Sequence, residues 1–254
     1  MAFNGPINIS EQDIRTQQAA TQPSGAAWSP SLRFGQVGTT WDGKVYTYCL
    51  AGATNLTAGY TVQETAVVAN HQNRTNATVE AIGSYTVVVP LGNTAATLGQ
   101  YAQGYLTVVS ATGIGFNYRV KTNTAALGNG STTVTLYDPL LVALDTTSVV
   151  SLTPSPQSLA IVTPTSTPLN VIGVNDINVT AGYYFWAQIQ GTCSVFTDSN
   201  AGIAANTGII PSATVAGAVV VESSSTITQR LGYVTGKATT ASQAQLVVLN
   251  IVNK

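Results

Sequence analysis

The sequence predicts an all-β protein: antiparallel β-sandwich or barrel modules, with an extended N-terminal arm and a Pro-rich linker. Three observations predict it. Short apolar stretches rich in Val, Thr and Tyr recur along the chain. Turn residues separate them roughly every ten positions, the spacing of a sandwich or barrel. Charged residues are only 7% of the 254, against about 25% in an average soluble protein, while hydrophobic residues reach 44%. Low hydrophobicity with high net charge is the signature of disorder, so this composition instead describes a folded chain with an almost uncharged surface.

Residues 1–30 show no periodicity and read as the arm. Phe3, Ile7, Ile9 and Ile14 stand isolated among polar residues. Ser10, followed by Glu11 and Asp13, predicts a short capped helix within 10–18. Fully extended, ~30 residues reach on the order of 100 Å, enough to cross a neighbouring subunit. A loose terminus fits equally well. Trp28, Phe34 and Trp41 follow among Gly and Pro, and Trp41-Asp42-Gly43-Lys44 reads as a turn.

A first β domain is expected over 31–152. Val45–Leu50 is a strand, 61–68 and 77–82 are weaker candidates, and 85–89 and 104–109 are clear ones. Phe116, Tyr118 and Val120 alternate with Asn117, Arg119 and Lys121, apolar side inward. Gly128-Asn129-Gly130 turns the chain back into 132–136 as a hairpin. Residues 140–144 suggest a helical turn. Four prolines fall between Thr153 and Pro168; proline lacks the ladder donor, so 153–170 is expected to be a linker or surface strap.

The last module is expected over 171–254, built around 179–191 (VTAGYYFWAQIQG). Four consecutive aromatics there favour a pleated, half-buried surface. Tyr183, Phe185, Ala187 and Ile189 share one face, which reads as core; Tyr184, Trp186, Gln188 and Gln190 share the other. That second face suits contact with another protein, or both faces are core. Residues 56–60 (LTAGY) echo 179–183 (VTAGY).

Catalytic residue types are scarce. His71 is the single histidine and sits in a polar loop, so an ordinary loop histidine is expected. The ten acids are scattered, a poor supply for the facing carboxylates of glycoside hydrolysis. No enzyme, cofactor or metal site is expected. Cys49 and Cys193 each sit in an apolar strand pattern, which favours buried free thiols. Net charge is −1 and the nine basic residues form no patch, so neither nucleic acid nor a membrane surface is an expected partner. Residues 1–10 lack the basic and apolar regions of a secretory signal.

The order of aromatic strand with Gln and Gly, loop, Ala213-Thr214-Val215-Ala216-Gly217-Ala218, Leu231-Gly232-Tyr233-Val234 and apolar final strand resembles the C-terminal part of tailed-bacteriophage capsid decoration (cement) proteins. The likeness covers roughly the last third, with a looser match at Trp41-Asp42-Gly43-Lys44-Val45-Tyr46. It implies a structural protein made in the host cytoplasm that binds and stabilises the outer capsid surface of a virion. Its partners would be the major capsid protein and further copies of itself, as a trimer. Candidate interface residues are Phe3, Ile7, Ile9, Ile14, Trp28, Phe34, Trp41, Tyr184 and Trp186. The alternative is a carbohydrate-binding fibre or adhesin module, in which aromatic faces flanked by amides stack on sugars.

Overall fold

The structure, a computed structural model, describes residues 6–19, 32–166, 169–198, 206–222, 229–235 and 243–251. Among these the regular secondary structure is nearly all strand, with one four-residue helix and one 3-10 turn. It forms two compact units: the described parts of 1–21, 29–65 and 156–254 make the first, and 66–155 the second.

This division corrects the boundaries drawn from composition. Residues 32–65 do not belong with the stretch up to 152, because Val45–Leu50 pairs antiparallel with Tyr183–Phe196, and Thr61–Gln63 with Val171–Asn175. Strand pairing is non-local, so segments on both sides of the second unit share the first, and the chain re-enters the first unit at 155–156, within the Pro-rich stretch. Within the Pro-rich stretch, Ala160 bridges Ala51 and is fully buried, and Ile161–Val162 pairs with Thr61–Gln63.

The first unit is organised around the fourteen-residue strand Tyr183–Phe196. Its early part pairs with Val45–Leu50, and its later part, from Gln190 on, with Ala244–Asn250. The register shifts between Gln188 and Gln190, and Gly191 follows at φ +95°, where a side chain would be strained and would press on Lys44. Phe185 and Ala187 pack with Leu56, Val62 and Ile172 in one core; Cys193 and Val195 pack with Ile209, Leu231 and Val247 in another. Both cysteines are free and buried.

The echo seen in the sequence is a structural repeat of six residues, Asn55–Tyr60 and Asn178–Tyr183 by position. Leu56 and Val179 exchange both backbone hydrogen bonds at 2.9 Å. Ala58 N donates to Asn178 Oδ1, and Ala181 N to Asn55 Oδ1, each at 2.9 Å. Gly59 and Gly182 take φ +78° and +75° at the same place in each turn, a conformation that strongly favours glycine.

The second unit is a six-stranded antiparallel sheet in the order Arg74–Thr75, Val149–Thr153, Tyr105–Ser110, Asn117–Asn123, Ser131–Leu136, Thr86–Pro90. It curls into a nearly closed barrel, with its two end strands close to each other. Ala77 N reaches Val88 O at 3.4 Å, and the Arg74 guanidinium donates to Pro90 O at 3.1 Å and Leu91 O at 3.3 Å. The predicted alternation holds: Tyr118 and Val120 are buried in the barrel, Phe116 packs against it, and Asn117 and Lys121 are exposed.

Three local expectations fail here. Residues 140–144 form a bend and a single bridge from Leu144 to Glu80, not a helical turn, and that bridge is all the strand that 77–82 contains. His71 is not a surface loop residue. It is fully buried, with Nε2 at 2.9 Å from Thr94 O and Nδ1 in a short hydrogen bond with the Tyr101 hydroxyl. A carbonyl only accepts, so Nε2 carries the proton and Nδ1 accepts from Tyr101.

Candidate functional site

The helix foreseen near Ser10 is present as Glu11–Ile14. Ser10 and Asp13 satisfy each other's backbone N–H in a capping box. The helix belongs to a segment laid over the long strand. Ile7–Asn8 pairs in parallel with Gly38 and Thr39, and Gln18–Ala19 pairs with Tyr183 and Tyr184. Gln17 closes the segment with two bonds to Thr180, accepting from its N–H at 2.7 Å and donating to its hydroxyl at 3.3 Å.

This segment decides the fate of the aromatic–amide face. Tyr184 and Trp186 are 6% and 4% exposed, so the face offered to a partner is covered within the chain. Tyr48, directly opposite Trp186, meets it edge-on at 5.1 Å and stacks on Tyr184 at 5.4 Å; Phe34 lies 6.1 Å from Tyr184. Ile9 lies over the same surface through a gap that only glycine leaves. A Cβ at Gly38 would stand 2.6 Å from Ile9 Cδ1 and 3.0 Å from Trp186 Cζ3. Burial pushes the Tyr184 hydroxyl up to about 12 and the Tyr48 hydroxyl higher still.

Of the nine candidate interface residues, the fold therefore gathers Ile9, Phe34, Tyr184 and Trp186 into one internal cluster. Ile7 is half-buried beside it, and Ile14 is 4% exposed. Trp41 stands apart at 89% exposed, on the turn that the Asp-Gly pair predicts. Phe3 and Trp28 lie outside the described residues.

The amide end of the same face opens into a cleft of about 800 Å³. Its floor is Gln188, Tyr46, Cys193 and Asp176, and the helix borders it with Ile14, Glu11 and Arg15. The Tyr46 hydroxyl donates to Asp176 Oδ2 at 2.9 Å, and the Cys193 thiol reaches Oδ1 at 3.7 Å. The Gln188 amide donates to Gln190 O at 3.1 Å and Thr192 O at 3.0 Å. Asp176 is exposed as a residue, yet both its carboxyl oxygens are engaged by buried groups. It is this local crowding around the carboxyl that holds its proton affinity above the usual range, against the opposing pull of the Tyr46 and Cys193 bonds. At the cleft's edge Asp42 is shifted the other way, by the Thr40 hydroxyl and then by Lys44, whose Nζ is 3.1 Å away. Nothing in the sequence marked this cleft. Its members come from 11–15, 40–46, 58–59, 176–194 and 244–246, joined only by the sheet.

A second open groove, about 530 Å³, is lined by Asn206, Gly208, Arg230, Gly232, Tyr233 and Asn250. Tyr233 is 45% exposed there. Among the described residues no group of three or more His, Cys, Asp or Glu side chains stands where it could hold a metal ion, and no helix is long and apolar enough to cross a membrane.

No family model matches the sequence, and neither a curated protein nor a solved structure matches it.

Proposed function

We propose that this chain is a non-enzymatic structural protein of a tailed-phage virion. In this reading it is a decoration or cement protein that binds the major capsid protein on the outer capsid surface, stabilises the shell and assembles as a trimer. The observation that carries the reading is apolar surface left uncovered on a charge-poor β scaffold. Val79, Ile82 and Leu141 are 70%, 69% and 67% exposed. The segments bearing them are held together by the reciprocal Glu80–Leu144 bridge and by the bond from Gly83 N to Leu140 O at 2.9 Å. Tyr85 adds a ring 52% exposed just beyond. Exposed apolar groups gathered at one place mark interaction sites, whereas singly scattered ones are ordinary. Hydrophobic burial is not screened by salt, so such contacts hold across ionic conditions.

Mass spectrometry of purified particles tests this directly: the chain is expected at a fixed copy number per capsid. Ile82→Asp with Leu141→Asp is expected to lower that occupancy while leaving the circular dichroism spectrum unchanged. Absence of the chain from particles, or unchanged occupancy of the double variant, rejects the proposal.

A carbohydrate-binding module is the second reading. The groove around Tyr233 favours it, because an exposed ring flanked by Asn206, Arg230 and Asn250 offers a stacking platform with hydrogen-bonding neighbours. Trp186, buried as it is, has no part in it. A glycan array would give a defined ligand lost in Tyr233→Ala; an array without a ligand removes this reading.

A further inference from the structure

Among the described residues, the cleft over Asp176 gathers an unusual share of this chain's charge. The sequence has nine basic and ten acidic residues, and five of them, Glu11, Arg15, Asp42, Lys44 and Asp176, line this cleft. They are unevenly matched. Lys44 is paired with Asp42 at 3.1 Å, and Arg15 with Glu11 at 3.5 Å. Asp176 has no ion-pair partner among the described residues. Its carboxyl accepts only from two neutral donors, the Tyr46 hydroxyl and the Cys193 thiol. With both cations already placed, the cleft carries one unmatched carboxylate that is open to solvent on one side and gripped by buried side chains on the other.

The walls carry the rest of the description. Ile14, Ile177 and Leu246 face the space, and Leu246 leaves 55% of its surface exposed. Apolar wall groups leading to a carboxylate without an ion-pair partner match an aliphatic stem with a cationic head. Lysine and arginine side chains bury their methylenes along apolar surface in this way. A carboxylate held by hydrogen bonds from one side presents its remaining lone pairs to such a head, and charge-assisted bonds are about twice as strong as neutral ones.

We propose that the cleft receives a single ammonium or guanidinium group, the tip of a lysine or arginine side chain on a partner chain, with Asp176 as its counter-ion. The proposal rests on the chain having a protein partner, as the assembly reading requires, and it names the chemistry by which one partner contact is made. Its probe is a small molecule, so the two can fail separately.

The test is a two-dimensional amide NMR titration of the full chain with N-acetyl-arginine amide and N-acetyl-lysine amide, using N-acetyl-citrulline amide as the uncharged control. Saturable shifts are expected at the Gln188 side-chain amide and at Thr192, Cys193 and Ser194, with either cationic probe and not with citrulline. Asp176→Asn keeps an acceptor for the Tyr46 hydroxyl and is expected to weaken binding at least tenfold. Asp138→Asn, an exposed carboxylate in the other unit, is expected to leave it unchanged. Ala244→Lys, on an exposed rim position, places a cation at the mouth and is expected to abolish the response without touching the floor. Non-saturating shifts, an equal response to citrulline, or unaltered binding in both Asp176→Asn and Ala244→Lys would overturn the proposal.

Discussion

Replacing Trp186 with alanine removes the largest side chain from the cluster that joins the long strand to residues 7–14. The residue is 4% exposed and its ring meets Tyr48 at 5.1 Å. Truncation of a buried Trp costs about 3–5 kcal/mol, part lost burial and part the cavity left behind. Loss of the edge-on pair is contained in that figure, since aromatic pairs add only about 0.5–1.5 kcal/mol beyond their area. For a unit of this size each kcal/mol lowers the melting temperature by roughly 2–4 °C, so a fall on the order of 10 °C is expected. Trp41→Ala is the matched control. At 89% exposed it sits among surface positions whose substitutions usually stay within about 0.5 kcal/mol, so its melting temperature is expected within about 2 °C of the parent. Thermal unfolding followed by circular dichroism reads both. A Trp186→Ala protein melting as the parent does, or a Trp41→Ala protein falling as far as Trp186→Ala, would refute the assignment of one tryptophan to the interior and the other to the surface.

Other substitutions probe other parts of the same account. Gly38→Ala puts a methyl 2.6 Å from Ile9 Cδ1 and is expected to expel Ile9, worth about 1.5–3 kcal/mol of burial; trypsin should then cut faster at Arg15, and an unchanged cleavage rate counts against the packing described. His71→Ala strips the Tyr101 hydroxyl of its acceptor inside the second unit, and an unsatisfied buried group costs about 1–3 kcal/mol, read as a lower denaturation midpoint in urea. Two carboxylates should show opposite pH behaviour. Asp176 has a raised folded-state pKa, so its contribution is full below the ordinary value of 3.8 and is lost as pH rises through the raised one; Asp176→Asn should therefore melt higher than the parent at pH 7, with the difference gone by pH 3. Asp145 is lowered to about 2 by the Thr147 and Thr112 hydroxyls, so its contribution is present above 3.8 and lost as pH falls through about 2; Asp145→Asn should melt lower than the parent at pH 7, with the difference closing as pH falls through that value.

Periodicity is legible where one neighbour decides the outcome. The alternation at 116–121 needs only an inside and an outside, and the barrel supplies both. Ser10 with Asp13 is a four-residue signal, and the helix it caps follows from local hydrogen bonds. What the sequence conceals is always a matter of partners far along the chain. A period of two sorts Tyr184 and Trp186 onto one face but cannot say what covers it. The cover comes from residues 7–14, which lack any periodicity of their own because their side chains are placed one at a time: Ile9 over Gly38, Ile14 beside the cleft. His71 misleads for the same reason. Its polar neighbours describe the turn at 69–71, while its ring answers to Tyr101 and Thr94, more than twenty residues away.

That distinction relocates the argument for assembly. The face of Tyr184 and Trp186 suits either another protein or a core, and the chain closes that face itself. An apolar side chain argues for a partner only once the chain's own segments have had the chance to cover it. By that stricter criterion Ile9, Ile14, Tyr184 and Trp186 drop out, while Trp41, Val79, Ile82 and Leu141 remain. They sit on turns and bridged corners rather than on strand faces. A sheet face can be buried by a second layer of the same chain, whereas these turn positions stay exposed among the described residues. On the assembly reading proposed above, the corner residues, more than the aromatic strand that first draws the eye, are where a partner is to be sought and where charge substitutions are expected to weaken binding.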